Sequence, residues 1–264
     1  MKQWTLSGLF RGNASTKWGV KDGGDNGQTG VLGMPRFNPA LCTPDCTACA
    51  ASCPTGAITL SAEASSPVAL DYGKCVTCQL CVEACPSGAL TESQDWAFGV
   101  RRREDLHWVE NASKPEMQRP PAGFYRSLHV RHVDAGSCNG CESELQALHN
   151  PFYNLHRLGV FFTPSPRFAD VLLVTGPVTN AMREPLLAAY EAMPEPRWVM
   201  AIGTCAVAGG TAGGGEYCGN GLDGILPTDL YLPGCPPNPA AIIEAFMMLL
   251  ARKAQRVAGG QYAV

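Results

Sequence analysis

Cys75, Cys78, Cys81 and Cys85, the last followed by Pro86, form a C-x2-C-x2-C-x3-C-P run. Three thiolates on so tight a loop grip three irons of a cubane, and the proline carries the fourth cysteine away to a second cubane. Cys42, Cys46, Cys49 and Cys53-Pro54 repeat the arrangement with three residues instead of two after the first cysteine, so strict spacing would place a ligand at Thr43. One extra residue is absorbed in a loop, and Cys42 is taken as the ligand. Crossed ligation then assigns Cys42, Cys46, Cys49 and Cys85 to one 4Fe–4S cluster, and Cys75, Cys78, Cys81 and Cys53 to another. Paired zinc knuckles are the competing reading. They use cysteine pairs set apart by longer loops, often with His, whereas both quartets here end in Cys-Pro with no interleaved His.

Five of the 13 cysteines lie outside these blocks. Cys138 and Cys141, Cys205, and Cys235 each follow an expected strand: Leu128–Val133, Trp198–Ile202 and Asp229–Leu232. Parallel strands share one C-terminal edge, where ligands sit, so four thiolates distant in sequence can meet there on a third cubane. Glycines beside them let backbone N–H groups approach inorganic sulfur. Cys218 is left over in a Gly-rich loop and is expected to be free.

The elements that must position these residues change character along the chain. Residues 41–95 read as an internal repeat, with Cys-Pro-Thr-Gly-Ala-Ile at 53–58 answered by Cys-Pro-Ser-Gly-Ala-Leu at 85–90. Residues 1–40, with Trp4, Leu6, Leu9, Phe10 and Trp18 as scattered anchors, are either a partly ordered tail or a docking arm. Residues 96–126 read as a linker, punctuated by Pro115, Pro120, Pro121 and Gly123. From 127 to 264 strands alternate with helices, the grammar of an open α/β sheet. Asp170–Thr175 is a buried strand, Gly140–Leu148 a helix, and Leu186–Met193 a short helix opened by Pro185. Asn238 caps a last helix with Pro239 at its first position. Its core stripe is Ile242, Ile243, Phe246, Met247 and Leu250, with Arg252 and Lys253 at its C-terminal end.

Composition narrows the function. Hydrophobic residues make up 45% of 264, charged residues 16%, and the formal net charge is −3. That balance gives no basic footprint for nucleic acid. No apolar h-region follows Met1, so no signal peptide is expected. The longest apolar stretch, Ala240–Ala251, is too short to span a bilayer and is broken by Glu244. Cysteine in a cytoplasmic chain serves metal or redox chemistry rather than disulfides.

The sequence RHVDAGSCNGCESE at 131–144, with GTCA at 203–206 and PGCPPNP at 233–239, resembles the small subunit of membrane-bound group 4 nickel–iron hydrogenases of formate hydrogenlyase type. The related cluster subunit of complex I usually carries adjacent cysteines where this chain has Cys138-Asn139-Gly140-Cys141. The resemblance covers 127–255, and 4–110 resembles the separate ferredoxin-like subunit, so two subunits look fused. It implies an α+β two-cluster ferredoxin-like domain followed by an α/β flavodoxin-like domain with an open parallel sheet. It also implies a non-catalytic electron-transfer subunit of an oxidoreductase, passing electrons through three 4Fe–4S clusters to or from a nickel–iron large subunit. Nickel ligation belongs to that partner, since this chain has one spare thiol. Membrane-arm subunits, and a donor such as a formate dehydrogenase, complete the expected complex, on the cytoplasmic face of the cell membrane. Two alternatives stand: the same wire in a nickel-free complex I-like oxidoreductase, and a free ferredoxin-like carrier.

Other residues carry two readings each. Glu142 is a proton relay by resemblance, or an acid favoured by the dipole of a first helical turn. Arg131 and His132 either tune the third cluster or serve structure. Gly209–Gly215 lacks the Gly-Lys-Ser/Thr ending of a phosphate loop and is expected to wrap over the cluster or touch the partner. Arg101–Arg103 is read as a solvated face, or as a docking patch. No nucleophile–base pair and no paired catalytic carboxylates are evident.

Twelve ligands in three sets lead to an analytical expectation. Anaerobic iron and sulfide analysis should approach about twelve of each per chain, at four per cubane; stoichiometric zinc with little iron would overturn the assignment.

Overall fold

Asn38 and Asp71 open the two halves of the repeat in the same way. Asn38 Oδ1 accepts from Ala40 N at 3.1 Å, and Asp71 Oδ1 from Gly73 N at 2.9 Å. Each begins a 3-10 turn, Pro39–Leu41 and Tyr72–Lys74, that ends on the first cysteine of its block, Cys42 or Cys75. A five-residue helix follows in each half, α1 (Ala48–Ser52) and α2 (Leu80–Ala84), with the third cysteine inside it and the fourth at its C-cap. Short strands close the module: β1 (Arg36–Phe37), β2 (Ile58–Leu60), β3 (Val68–Leu70) and β4 (Leu90–Thr91). They pair antiparallel as β1 with β4 and β2 with β3.

These elements belong to a computed structural model, which describes residues 30–61, 67–110, 112 and 127–262. The aromatic anchors between Trp4 and Trp18, and the Pro115–Gly123 stretch, lie outside the described residues.

The second half is a five-stranded parallel sheet of β5 (Leu128–Asp134), β6 (Val160–Phe162), β7 (Val171–Thr175), β8 (Trp198–Ile202) and β9 (Leu230–Leu232). The strand order is β6-β5-β7-β8-β9, the flavodoxin-like order in which the direction of winding reverses between the first and third strands. Ligand-bearing loops are expected outside that reversal, between β5 and β7. Every residue of β7 is buried, as a strand covered on both faces must be. Val171 and Leu173 face one core and Leu172 and Val174 the other, following the two-residue alternation of a strand.

Helices cover the faces: α3 (Gly140–Ala147), α4 (Asn180–Glu191), α5 (Thr204–Ala208) and α6 (Pro239–Leu249). The α4 helix starts at Asn180 rather than at Leu186, and Pro185 sits inside it. Asn238 caps α6, its Oδ1 accepting from Ala241 N at 2.8 Å, a contact worth about 1 kcal/mol. The helix is buried on all sides rather than along a stripe, and Glu244 is buried with it. Arg256 at 2.5 Å and Lys253 at 3.5 Å pair with the Glu244 carboxylate, so Lys253 serves a buried charge. Arg252 donates to Leu158 O at 2.5 Å.

Residues 96–110 fall in the stretch read as a linker, yet Phe98, Val100 and Leu106 are at most 2% exposed. Val100 and Tyr231 exchange backbone hydrogen bonds at 2.9 and 2.8 Å, covering the free edge of β9 as an exposed edge requires. A C-terminal hairpin, β10 (Val257–Ala258) and β11 (Gln261–Tyr262), completes the clasp through Val109 N to Gly259 O and Gly260 N to Asp105 O. One apolar core therefore runs from Ile58, Leu70 and Tyr72 through Phe98 and Leu106 to Val174 and Val207. Arg101–Arg103 belongs to the same joint. Arg101 donates to Met248 O and Leu249 O at the end of α6, and Arg103 makes a two-pronged bond to Asp71, 2.7 Å on each arm.

Truncating a side chain buried in this joint measures it directly. Leu106→Ala should lower stability by about 2–5 kcal/mol in anaerobic chemical denaturation. A tether-like segment would leave the midpoint unmoved.

Candidate metal centres

The repeat brings its eight cysteines into two cavities. Cys42, Cys46, Cys49 and Cys85 line one, with Phe37, Pro86 and Leu90. Cys53, Cys75, Cys78 and Cys81 line the other, with Ile58, Leu70 and Tyr72. Each cavity takes three sulfurs from one block and the fourth from the other, the crossing expected from the sequence. The extra residue of the first block falls between Cys42 and Cys46. Asn38 stands four residues before Cys42 as Asp71 stands four before Cys75, and Asp45 and Thr77, each just ahead of the second cysteine, both have positive φ, 63° and 55°. Local structure thus aligns Cys42 with Cys75 and turns Thr43 into loop.

The two crossing cysteines have a common surrounding. Ala57 N donates to Cys53 Sγ at 3.2 Å, and Thr55 Oγ1 lies 3.8 Å from that sulfur; Ser87 Oγ lies 3.7 Å from Cys85 Sγ. Burial by itself raises both thiols. N–H groups of the loops that follow, with the Thr55 and Ser87 hydroxyls, outweigh it and bring both below the ordinary thiol range. Cys75 and Cys81 go the other way: burial pushes them up to about 12 and about 11, with neighbouring cysteines adding to the rise. A bare thiol there stays protonated, and binding a cation is what draws the proton off.

Cys138 and Cys141 follow β5, Cys205 sits in the first turn of α5 after β8, and Cys235 follows β9. All four lie within electrostatic reach of one another. Burial first, then Glu142 and the sulfurs of Cys205, Cys235 and Cys138, push Cys141 up to about 12. Burial, then Cys235 and Cys138, raises Cys205. Cys141 is buried, and Cys138 and Cys235 are exposed. Glycine makes room for the sulfurs. At Gly203, φ +87°, an added Cβ would stand 2.6 Å from Cys141 Sγ, and at Gly210, φ +62°, 2.6 Å from Cys205 Sγ. The Gly-rich loop therefore wraps against Cys205, with residues 211–217 exposed. Cys218 donates through its Sγ to Ala212 O at 2.7 Å.

Among the described residues, no group of three or more His, Cys, Asp or Glu side chains is arranged to hold a single metal ion. Zinc gathers its sulfurs at about 2.3 Å from one point, whereas a cubane distributes its cysteines over four irons. Four sulfurs line each of the two cavities, the number of cysteine ligands a cubane takes. In the third set the glycine contacts and the shared electrostatics of the sulfurs fit it as well.

Glu142 lies in the first turn of α3 with its side chain 11% exposed. Its carboxylate accepts from Ser137 Oγ at 2.6 Å and from the Thr175 hydroxyl. His132 Nε2 is 2.9 Å from Thr175 Oγ1, and burial lowers the His132 pKa although Glu142 pulls it up. Arg131 points elsewhere, donating to Pro164 O at 2.9 Å. Ser137 and Thr175 were not singled out from sequence. Their only signal is position, one in the cysteine loop and one at the last residue of a buried strand. Thr204 was also missed, and it joins two of the sets: its hydroxyl donates to Cys75 O at 2.8 Å and accepts from Gly234 N at 3.0 Å.

The family described as "NADH ubiquinone oxidoreductase, 20 Kd subunit" matches residues 138–249, and "4Fe-4S dicluster domain" matches 41–89. "Formate hydrogenlyase subunit 7" of Escherichia coli is 44% identical over 132 residues, 50% of this chain and 52% of its own length. The chain thus spans about half of that relative. "Probable membrane-bound hydrogenase subunit mbhJ" of Pyrococcus furiosus is 44% identical over 134 residues, 51% of this chain and 80% of its own. Among solved structures, a chain of the membrane-bound sulfane sulfur reductase, an archaeal respiratory membrane complex, is 32% identical, with 48% of this chain and 72% of that one covered and a TM-score of 0.42. Among the described residues, no helix is long and apolar enough to cross a membrane.

Gly203 offers a test of the third set. On the expectation of three clusters, Gly203→Ala should drive a methyl into the Cys141 sulfur and lower iron from about twelve to about eight per chain. Gly224→Ala, at φ +67° with nothing within 4 Å of the added Cβ, should retain the full complement.

Proposed function

We propose that this chain, which belongs to the family of the 20 kDa subunit of NADH ubiquinone oxidoreductase, is the electron-transfer subunit of a membrane-bound hydrogenase-like complex. In this reading it holds three 4Fe–4S clusters and faces a nickel–iron catalytic subunit carried on another chain. The observation that carries it is the sorting of twelve cysteines into three sets of four, two of them lining separate cavities and the third gathered on the strand edge. Residues 41–95, with β1 and the Asn38 turn ahead of them, form the two-cluster module, residues 127–264 form the second domain, and residues 96–110 pack in the joint between them.

Clusters of this kind, when bound, take up and release single electrons without bond rearrangement in the protein. The chain's own residues do the rest. Cys42, Cys46, Cys49 and Cys85 hold the outermost site, and Cys53, Cys75, Cys78 and Cys81 the middle one. Cys138, Cys141, Cys205 and Cys235 hold the third. Apolar side chains of Phe37, Ile58, Leu70 and Tyr72 line the first two. The contact between Thr204 and Cys75 favours the order first, second, third along the molecule. Two cysteines of the third set, Cys138 and Cys235, are exposed against one, Cys78, in the middle set, which favours the third as the end that meets the catalytic partner. Glu142, beside Cys141, is then the residue nearest to proton traffic at that face. Membrane-arm subunits, and a donor subunit such as a formate dehydrogenase, complete the complex, which lies against the cytoplasmic face of the membrane.

Carriers in series fail wherever one link is missing, while chemistry at the partner's metal survives a distant break. The assembled complex carrying Cys78→Ala should lose donor-linked hydrogen production and keep much of its hydrogen–deuterium exchange. Cys138→Ala should impair every electron-dependent assay. Full donor-linked turnover in a Cys78→Ala complex shown to lack a cluster would contradict the serial arrangement. Wild-type complex without nickel or hydrogen production would instead favour a complex I-like oxidoreductase reducing another acceptor.

A further inference from the structure

The Thr204 side chain is 1% exposed and lies where the two halves of the molecule meet. Its hydroxyl donates to the carbonyl of Cys75, at the end of the Tyr72–Lys74 turn, and accepts from the N–H of Gly234, just ahead of Cys235. Its own N–H donates to Gly234 O at 2.9 Å, and Gly203 N donates to Leu232 O at 2.8 Å. These bonds lock the loop after β8 to the loop after β9. One hydroxyl thus ties three cysteine-bearing loops together: Cys75 from the middle set, and Cys205 and Cys235 from the third. The hydroxyl is the only part of threonine that can donate to a carbonyl and accept from an N–H at once.

We propose that Thr204 is a positioning residue that fixes the middle and third cysteine sets at one separation, and so sets how strongly whatever they hold is coupled. The inference rests on the electron-transfer reading above. The geometry gives it a direct reason. Packing alone leaves two surfaces free to slide by fractions of an ångström, whereas a hydrogen bond tolerates only about 2.7–3.2 Å and a narrow angle. The Thr204 methyl contributes to packing, and its loss on changing to serine leaves both hydrogen bonds possible. Valine keeps the shape and abolishes both bonds. The two substitutions therefore separate shape from hydrogen bonding.

The experiment uses the full chain, loaded anaerobically with iron and sulfide, as wild type, T204S and T204V. Iron per chain is measured first. Low-temperature EPR of the reduced protein then reports spin–spin interaction between clusters, and amide hydrogen exchange reports the Gly234 N–H. T204S should match wild type in both. T204V should keep its iron, exchange Gly234 about tenfold faster, and show an altered or absent interaction signal. T204V with full iron and wild-type values in both measurements would overturn the inference alone. Should T204V fail to fold or load, T204S decides: wild-type behaviour supports the hydroxyl bridge, and failure like that of T204V overturns it. Wild-type protein with little iron would overturn the electron-transfer reading, and this inference with it.

Discussion

Burial pushes the thiols of Cys75 and Cys141 up to about 12 and that of Cys81 up to about 11, yet a metal ligand must be a thiolate. In the proposed reading the cost of ionising sulfur in an apolar wall is offset when a cluster binds, which couples occupancy to folding. Crossing makes the coupling mutual. The first cavity needs Cys85 from the second block, and the second needs Cys53 from the first. These two are the sulfurs surrounded by N–H donors from the loops that follow them. The residues that bridge the blocks are thus the ones whose thiol pKa the following backbone lowers. In the proposed reading neither block completes a set of four without the other.

The same interdependence extends to the rest of the chain through apolar packing rather than sulfur. Tyr72 is 3% exposed, donates through its hydroxyl to Pro35 O at 2.8 Å, and packs with Phe98 at a ring separation of 5.1 Å. Phe98 in turn stacks on Tyr262 at 5.9 Å. A residue beside the second cavity is therefore tied through two rings to the end of the chain. Gln255 strengthens the closure, accepting from Arg101 N and donating to Asp105 and to Val257 O. A joint with a continuous core and buried polar ties is stiff, which suits carriers whose separation has to stay constant.

Much of this was legible in the sequence because its determinants are local. Cysteine spacing, the Cys-Pro ends and the apolar runs of β7 and β8 are short-range patterns, and they located both cavities and the strand edge. The alignment of Cys42 with Cys75 was also present locally, in the Asx residues four positions ahead. What escaped depends on distant partners. Nothing near Val100 says that it will pair with Tyr231, and nothing near Leu106 says that a C-terminal hairpin will cover it. Glu244 read as a break in an apolar run, and only the neighbours Lys253 and Arg256 make its burial tolerable, since an unpaired buried charge is strongly unfavourable. The β6 strand, three residues long, carries too little pattern to announce itself. The α4 helix runs through Pro185 because Leu186 and its neighbours pack on the sheet, and tertiary packing outweighs one missing hydrogen bond.

Glu142 shows how far a local explanation reaches. An acid in a first helical turn is favoured by the dipole, but the dipole acts equally on a carboxylate that stays in water. This one is 11% exposed and accepts from two hydroxyls, one from the cysteine loop and one from the end of β7. Burying a carboxylate is unfavourable unless hydrogen bonds replace its water, so those donors are needed to keep it where it is. Ser137 is itself fixed, because Asp134 Oδ1 accepts from Gly136 N and Ser137 N at 2.9 and 2.7 Å. The chain of bonds runs from the end of β5, through the loop that carries Cys138, into the turn that carries Cys141, and across to β7. It spans the reversal point of the sheet. The carboxylate therefore has a structural task in holding the cysteine loop, one that stands whether or not a proton also moves through it.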